Sequence, residues 1–348
     1  MKIWFWLVIG LIGSAAGEIT RGEIGGAKFM IAAPEKWQGK LVLIAHGYRP
    51  EGNPLDAEFD TKDEFAAPLL EKGWGIASTS YRRNGWIVED ALLDLKALRD
   101  HVVKEHGEVK RCLVIGSSMG GLIGTLAAEG ALDRVDGVVA IGAYLGTEER
   151  KGFHEALTWQ PKAPLIYLTN QDELEHPKHY RTKAGPEKTA LWVVKRDGHC
   201  NTSDSERLQA LLAVDAWIEG TVPAKEKDGT VYPPVRESTA KKVDGGLEGK
   251  VTLASESWGN LSTGFVAADL TALDLKTGDK AVVSGSKGKL AVKVVGYRSD
   301  VATGEGALYL TPEGWVAVVI NGGNAAKAIG VTTGEVMVLA KVGEPNGD

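Results

Sequence analysis

From Lys40 onward the chain alternates short, unbroken apolar runs with stretches whose apolar residues recur every three or four positions. Leu41–Ala45 (LVLIA), Gly75–Ser80 (GIASTS), Cys112–Ile115 (CLVI), Val138–Ile141 (VVAI), Pro164–Leu168 (PLIYL) and Leu191–Val194 (LWVV) are continuous and rich in β-branched residues. A run with no polar face reads as a strand covered on both sides, as in a parallel sheet. Between these runs, Glu64–Lys72, Val88–Glu105, Gly121–Glu129 and Ser203–Glu219 have helical spacing. The last sets Leu208, Leu211, Leu212 and Trp217 behind a helix start at Asp204 and Ser205. Strand–helix alternation of this kind predicts a doubly wound, mostly parallel α/β domain over residues 18–220.

The pattern then changes. Residues 221–246 are polar, hold three prolines and lack periodicity, which predicts a linker. Over 247–348 the apolar runs are short: Lys250–Ser257, Lys280–Ser284, Leu290–Tyr297, Ala307–Leu310, Trp315–Ile320 and Val336–Lys341. Turn sequences separate them at Thr277-Gly278-Asp279, Gly285–Gly288 and Pro312-Glu313-Gly314. Short strands with glycine-rich turns predict an antiparallel β-barrel or sandwich, the barrel being the expectation carried forward, interrupted by one short helix over Asn324–Ile329. A length of 348 residues also exceeds what one core usually serves, in keeping with two domains.

Composition narrows the function classes. A formal net charge of −6 with no compensating basic cluster argues against a nucleic-acid partner. The first residues, MKIWFWLVIGLIGSAAG, carry a basic Lys2, an apolar run Ile3–Ile12 and then small residues. That layout predicts a signal peptide over 1–17, cleaved after Ala16 or Gly17, because the run falls short of the roughly 20 residues a bilayer requires. The mature protein is therefore expected to be secreted or periplasmic, with no membrane segment. The two cysteines, Cys112 and Cys200, are expected at opposite edges of the sheet and both free. Their scarcity leaves no set of metal ligands.

The chemistry concentrates in Gly116-Ser117-Ser118-Met119-Gly120, which fits G-x-S-x-G. It directly follows the apolar run Cys112–Ile115 and precedes helical sequence, the strand–turn–helix context that lifts a nucleophile above a sheet. Only Ser118 has glycine at both the second position before and the second after it, so Ser118 is the candidate nucleophile rather than Ser117. A serine hydroxyl needs a base to take its proton. His199 follows the last parallel-type run and is the candidate; His154, His176 and His179 are its rivals. The orienting acid should follow the preceding strand, where Asp172 stands, with Glu173, Glu175 and Asp136 as alternatives. The tetrahedral oxyanion requires amide donors, expected from Met119 and, in the loop after Leu41–Ala45, from Tyr48. Trp86 and Trp159 are candidate walls of the substrate pocket. The segment between Ile141 and Pro164 is long enough only for a small cap. Acyl transfer of this type requires no cofactor.

Residues 25–220 resemble an α/β-hydrolase on AHGY at 45–48, GSSMG at 116–120, NQD at 170–172 and DGHC at 197–200. The His199-Cys200 pair is also similar to the tannase and feruloyl-esterase group, whose second cysteine would precede the nucleophile where Ser117 stands. These resemblances imply a serine esterase with Ser118, Asp172 and His199 as its triad, acting on a small or polymer-bound ester. A prolyl-oligopeptidase-like peptidase is the alternative within the same architecture. Residues 250–343 resemble the C-terminal domain of the S-adenosyl-L-methionine hydroxide adenosyltransferase family, on Trp258-Gly259-Asn260, Ser262-Thr263 and Ile320-Asn321-Gly322-Gly323-Asn324-Ala325-Ala326. In that family such motifs help to hold an adenine ring at subunit contacts. The resemblance implies a ligand-binding or homo-oligomerising module, with an adenosine-like ligand as one alternative, separable from the hydrolase by truncation near Lys241.

Overall fold

The computed structural model describes residues 17–145, 156–255 and 258–342. The expected signal peptide lies outside these apart from Gly17, as do His154 and the Ser257 end of the expected strand Lys250–Ser257. Among the described residues no helix is long and apolar enough to cross a membrane. None of their His, Cys, Asp and Glu side chains form a group able to hold a metal ion.

The expected apolar runs form one sheet. Its strands are β1 (Glu18–Ile24), β2 (Ala27–Ala33), β3 (Lys40–Ala45), β4 (Trp74–Thr79), β5 (Arg111–Ser117), β6 (Gly137–Ile141), β7 (Leu165–Asn170), β8 (Thr189–Val194) and β9 (Glu226–Asp228). They lie in the order β1-β2-β4-β3-β5-β6-β7-β8-β9. β3 pairs in parallel with β4 on one side and β5 on the other, and β5 with β6. Every residue of β4, β6 and β7 is buried, so an uninterrupted apolar sequence is what these positions demand. The β1–β2 hairpin pairs antiparallel at one edge, with β2 on β4. No periodic signal in Glu18–Lys40 separates it from loop sequence. The stretch expected to be a linker includes β9, whose exposed Glu-Lys-Asp side chains leave no apolar trace of pairing.

Chain order reverses direction across the sheet at β3: β4 continues on one side and β5 on the other. The carboxyl ends of β3 and β5 therefore border the crevice where α/β sheets place their sites. Ala45 is in register with Gly116, so the loops leaving these two strands start side by side. The helices are α1 (Ala66–Glu71), α2 (Val88–His106), α3 (Met119–Glu129), α4 (Glu175–Ala184) and α5 (Asp204–Ile218). α3 is buried along its length and stops at Gly130, whose left-handed φ of 101° suits a glycine cap. α4 was not visible in the sequence. Its buried residues are only Pro177 and Tyr180, too few to mark a helical period.

The C-terminal strands are β10 (Lys241–Val243), β11 (Gly246–Ala254), β12 (Leu261–Val266), β13 (Lys280–Ser284), β14 (Lys289–Val294), β15 (Gly306–Leu310), β16 (Trp315–Ile320) and β17 (Val336–Lys341), with short helices α6 (Ala267–Ala272) and α7 (Ala325–Ile329). Pairing of β11 with β17 closes seven strands into a barrel, and β10 adds a hairpin to its edge. The pairs are antiparallel except β14 with β15, which run parallel. Phe265, Val283, Leu308, Val318 and Leu339 fill the interior. Gly249 leaves the space for Phe265: a Cβ there would stand 2.5 Å from the ring.

The chain divides into two compact units, and the division does not follow the linker. The first runs to Tyr167 and includes Glu175–Leu191 and Arg207–Lys225. The second joins Leu168–Leu174 and Trp192–Glu206 to everything from Glu226 onward. Ser118 belongs to the first unit. Asp172, Glu173, His199 and the barrel belong to the second.

Candidate active site

In the first unit, Ser118 caps α3 at the end of β5 with φ 58° and ψ −116°. A side-chain-bearing residue adopts that left-handed conformation at a cost of about 1–3 kcal/mol, which the surroundings must offset. They do so with backbone: the Ser118 N–H donates to Ile141 O (2.9 Å), and Gly121 N–H returns to Ser118 O (2.9 Å). The flanking glycines are required by close approach. A Cβ on Gly116 would lie 2.1 Å from Gly120 O, and one on Gly120 would lie 1.9 Å from Ala45 O. The motif glycines thus press the elbow onto the end of β3.

The loop after β3 is built against this elbow. A Cβ on Gly47 would meet Ser117 O at 3.0 Å and Ser118 Cβ at 3.3 Å. Tyr48, whose amide was expected to face the oxyanion, is the next residue, and Met119 is the first residue of α3. His46 stacks on the fully buried Tyr81 at 4.0 Å between ring centroids. Burial first, and the Arg49 charge second, hold its pKa down to about 4, so the ring is neutral at physiological pH. Its nitrogens lie on Gly47 O (2.7 Å) and Ser80 O (3.1 Å), and a neutral ring donates to one of these at a time. His46 therefore works as a spacer holding the loop.

The two tryptophans part company. Trp86 sits edge-on to Tyr144 (5.6 Å, 80°) and 6.5 Å from the Tyr48 ring. The Tyr144 N–H donates to Ser118 O at 3.3 Å, so Trp86 is one side chain removed from Ser118. Trp159, expected at the pocket, is elsewhere. Its N–H and that of Thr158 donate to the buried Glu129 carboxylate (2.7 and 2.8 Å), which also accepts the Tyr180 hydroxyl (2.7 Å). Glu129 ends α3, ten residues and so about 15 Å along the axis from Met119. Trp159 is corrected to a structural residue at the far end of that helix. His176, a rival base, lies on α4 rather than in a loop, and its Nδ1 accepts the Leu145 N–H at 3.0 Å. His179 packs edge-on to Trp159.

In the second unit, the loop that follows β8 carries His199 and is tied down by residues leaving β7. The fully buried Asn170 donates to Arg196 O and Asn201 O (both 2.9 Å) and accepts the Asn201 N–H (2.8 Å). The carboxylate on His199 Nδ1 is that of Glu173, through a very short contact. Glu173 also accepts the Cys200 N–H at 3.2 Å. Asp172, the residue expected on the ring, instead accepts the Gly198 N–H at 2.9 Å and shapes the loop. The reason is a turn: Glu173 N–H donates to Asn170 O (3.0 Å), which folds residue 173 back toward the loop while residues 171 and 172 stay exposed. Both side chains were candidates in the sequence, and turn phase chose between them.

Cys200 Sγ lies 3.7 Å from His199 Nε2. That sulfur first, and the Glu173 carboxylate second, favour the imidazolium and raise the His199 pKa to about 10. Cys200 has a left-handed φ of 56°, beside Gly198 at 109°. Neither cysteine forms a disulfide, and Cys112 is buried. Just upstream, Arg196 Nη2 donates to both carboxylate oxygens of the buried Glu206 (2.6 and 2.8 Å). Glu206 accepts the Ser203 N–H while its own N–H donates to Ser203 Oγ, a capping box that starts α5 at the foot of the His199 loop.

A strand–elbow–helix with a strained serine at the switch point of a mostly parallel sheet defines an α/β-hydrolase domain, here with a closed C-terminal barrel. Comparison with known families agrees. Residues 71–223 match the serine aminopeptidase family model, and residues 253–338 match the SAM hydroxide adenosyltransferase C-terminal domain. The first of these covers less than half of the chain, and it makes that stretch similar to a serine hydrolase. A curated relative, o-phthalyl amidase of Xanthobacter agilis, is 29% identical over 129 residues, 35% of this chain and 27% of that protein. The match thus spans only about a quarter of that relative's length. Among solved structures, a Pyrococcus furiosus esterase is 19% identical with TM-score 0.38, covering 58% of this chain and 88% of its own. A Pyrococcus horikoshii acylaminoacyl peptidase is 12% identical with TM-score 0.46, covering 60% and 42%.

Proposed function

We propose that the protein is exported and hydrolyses carboxylic esters through an acyl-enzyme. Ser118 Oγ attacks the ester carbonyl as His199 takes its proton. The tetrahedral oxyanion accepts the Met119 and Tyr48 amides, and the protonated imidazole then gives its proton to the leaving alcohol. Water repeats the sequence on the acyl-enzyme and releases the acid. Glu173 on Nδ1 orients the ring and stabilises the imidazolium, the part the sequence had offered to Asp172. The observation that carries this reading is the strained φ of 58° at Ser118, held by backbone bonds at a strand–helix junction. Export rests on the basic, apolar and small-residue layout of Met1–Gly17.

The test is Ser118→Ala on p-nitrophenyl acetate. Turnover should fall by at least about 10⁴-fold with unchanged circular dichroism. Activity near wild type would remove Ser118 from the mechanism. Amide cleavage is the second reading, favoured by the aminopeptidase match and by the amidase relative. An acetyl p-nitrophenyl ester and an aminoacyl p-nitroanilide, compared side by side, separate the two. Equal efficiency on the amide would overturn the ester assignment.

A further inference from the structure

The His199 loop has an unusual support. Gly198 and Cys200, on either side of the histidine, both have left-handed φ, and the His199 side chain is 48% exposed. A ring with so little packing of its own depends on the backbone beneath it for its aim. On one side that backbone is held by Asn170 and Asp172. On the other it is held by the barrel. The Tyr297 hydroxyl, just beyond β14, donates to His199 O at 2.6 Å. The Tyr297 ring fills the space over Gly198, where a Cβ would stand 3.0 Å from its Cγ.

Tyr297 is itself fixed. Its N–H donates to Asp300 Oδ2 (2.8 Å), its ring sits edge-on to Tyr309 (6.5 Å), and Arg298 lies over it (5.5 Å). Burial raises its phenol pKa, so the hydroxyl remains a donor at neutral pH. A second barrel residue, Glu313 in the β15–β16 turn, accepts the N–H of Asp204 at the far end of the loop (3.3 Å).

We propose that Tyr297 is a positioning residue for hydrolysis: its hydrogen bond to the His199 carbonyl and its ring over Gly198 keep the imidazole aligned with Glu173, so the barrel braces the proposed base. The inference rests on His199 being the base. It gives the C-terminal domain a role in the reaction that needs no ligand of its own.

The experiment is Tyr297→Phe in the full-length protein, which removes one hydroxyl and keeps the ring. kcat on p-nitrophenyl acetate should fall about tenfold, the scale of one positioned hydrogen bond, with KM within about twofold. The acidic limb of the pH–kcat/KM profile should move to lower pH, because a loosened ring is stabilised less by Glu173 as the imidazolium. Tyr309→Phe, measured beside it, should keep the wild-type rate and limb. A wild-type rate and limb in Tyr297→Phe would overturn the proposal. So would a lower rate with an unmoved limb and a lowered melting temperature, the signature of a purely structural contact. His199→Ala separates the two levels of argument: if it stays active, the base assignment falls and this inference with it. If it is inactive while Tyr297→Phe behaves as wild type, only the brace is lost.

Discussion

Ser118 and His199 are set by opposite means. Ser118 is placed locally: strand β5, one strained residue and helix α3 follow one another without a break from Arg111 to Glu129, and glycines 116 and 120 let them close on the end of β3. His199 is placed from a distance. Its loop is held by Asn170, Asp172 and Glu173 from roughly thirty residues upstream and by Tyr297 from 98 residues downstream. A nucleophile at an elbow needs only steric room and backbone bonds. A base at the tip of an exposed loop needs partners on several sides, and these come from wherever the fold brings them. The barrel is thus tied to the loop that carries His199, a link that a proline-containing linker gives no sign of.

The sharpest break in that comparison is at the acid. Glu173→Gln keeps the size of the side chain but cannot stabilise the imidazolium, and kcat should fall about 10³–10⁴-fold. Asp172→Asn, which touches only the Gly198 amide, should cost about tenfold or less. Steady-state kinetics on p-nitrophenyl acetate for the pair decides between them. The reverse ranking would return the acid's role to Asp172.

The local half of the site is probed by Gly120→Ala. Its Cβ would meet the Ala45 carbonyl, which is main chain and cannot swing aside. A loss of about 3 kcal/mol in urea unfolding is expected. A change within 0.5 kcal/mol, roughly the range of a neutral surface substitution, would show that the elbow is looser than its contacts imply.

The smallest effect is a shift in pH. With the neutral His199 imidazole as the proposed base, a pKa raised to about 10 predicts that kcat/KM climbs from neutral pH into the alkaline range. Cys200→Ala removes the larger cause of the rise. Its acidic limb should move to lower pH and its rate at pH 7 should increase. A limb left unmoved in that variant would leave Glu173 as the only partner that matters to the ring.

Much of this was legible beforehand. Unbroken apolar runs are forced on strands buried on both faces, so the parallel sheet and helices α2, α3 and α5 stood out. The elbow was readable because its requirements are consecutive: apolar strand, glycine, serine, glycine, helix. Elements with little to bury were silent. α4 presents two buried residues, and β9 none. The expected Trp159 wall failed for a related reason: an aromatic in an irregular segment carries no period, and only its tie to Glu129 reveals where it sits.

Residue order alone thus located the candidate elbow, because a strand–Gly–Ser–Gly–helix pattern is contiguous and its steric demands are written in neighbouring residues. Tertiary structure decided which carboxylate meets His199 and which residue backs its loop. Asp172 and Glu173 differ by one position, and the phase of the turn closed by Glu173 N–H on Asn170 O selects which carboxylate meets the ring. Tyr297 reaches His199 across 98 residues through a barrel whose closure depends on β11 meeting β17. Contacts of that kind are made by the packing of whole elements, and they leave no local periodicity from which to read them.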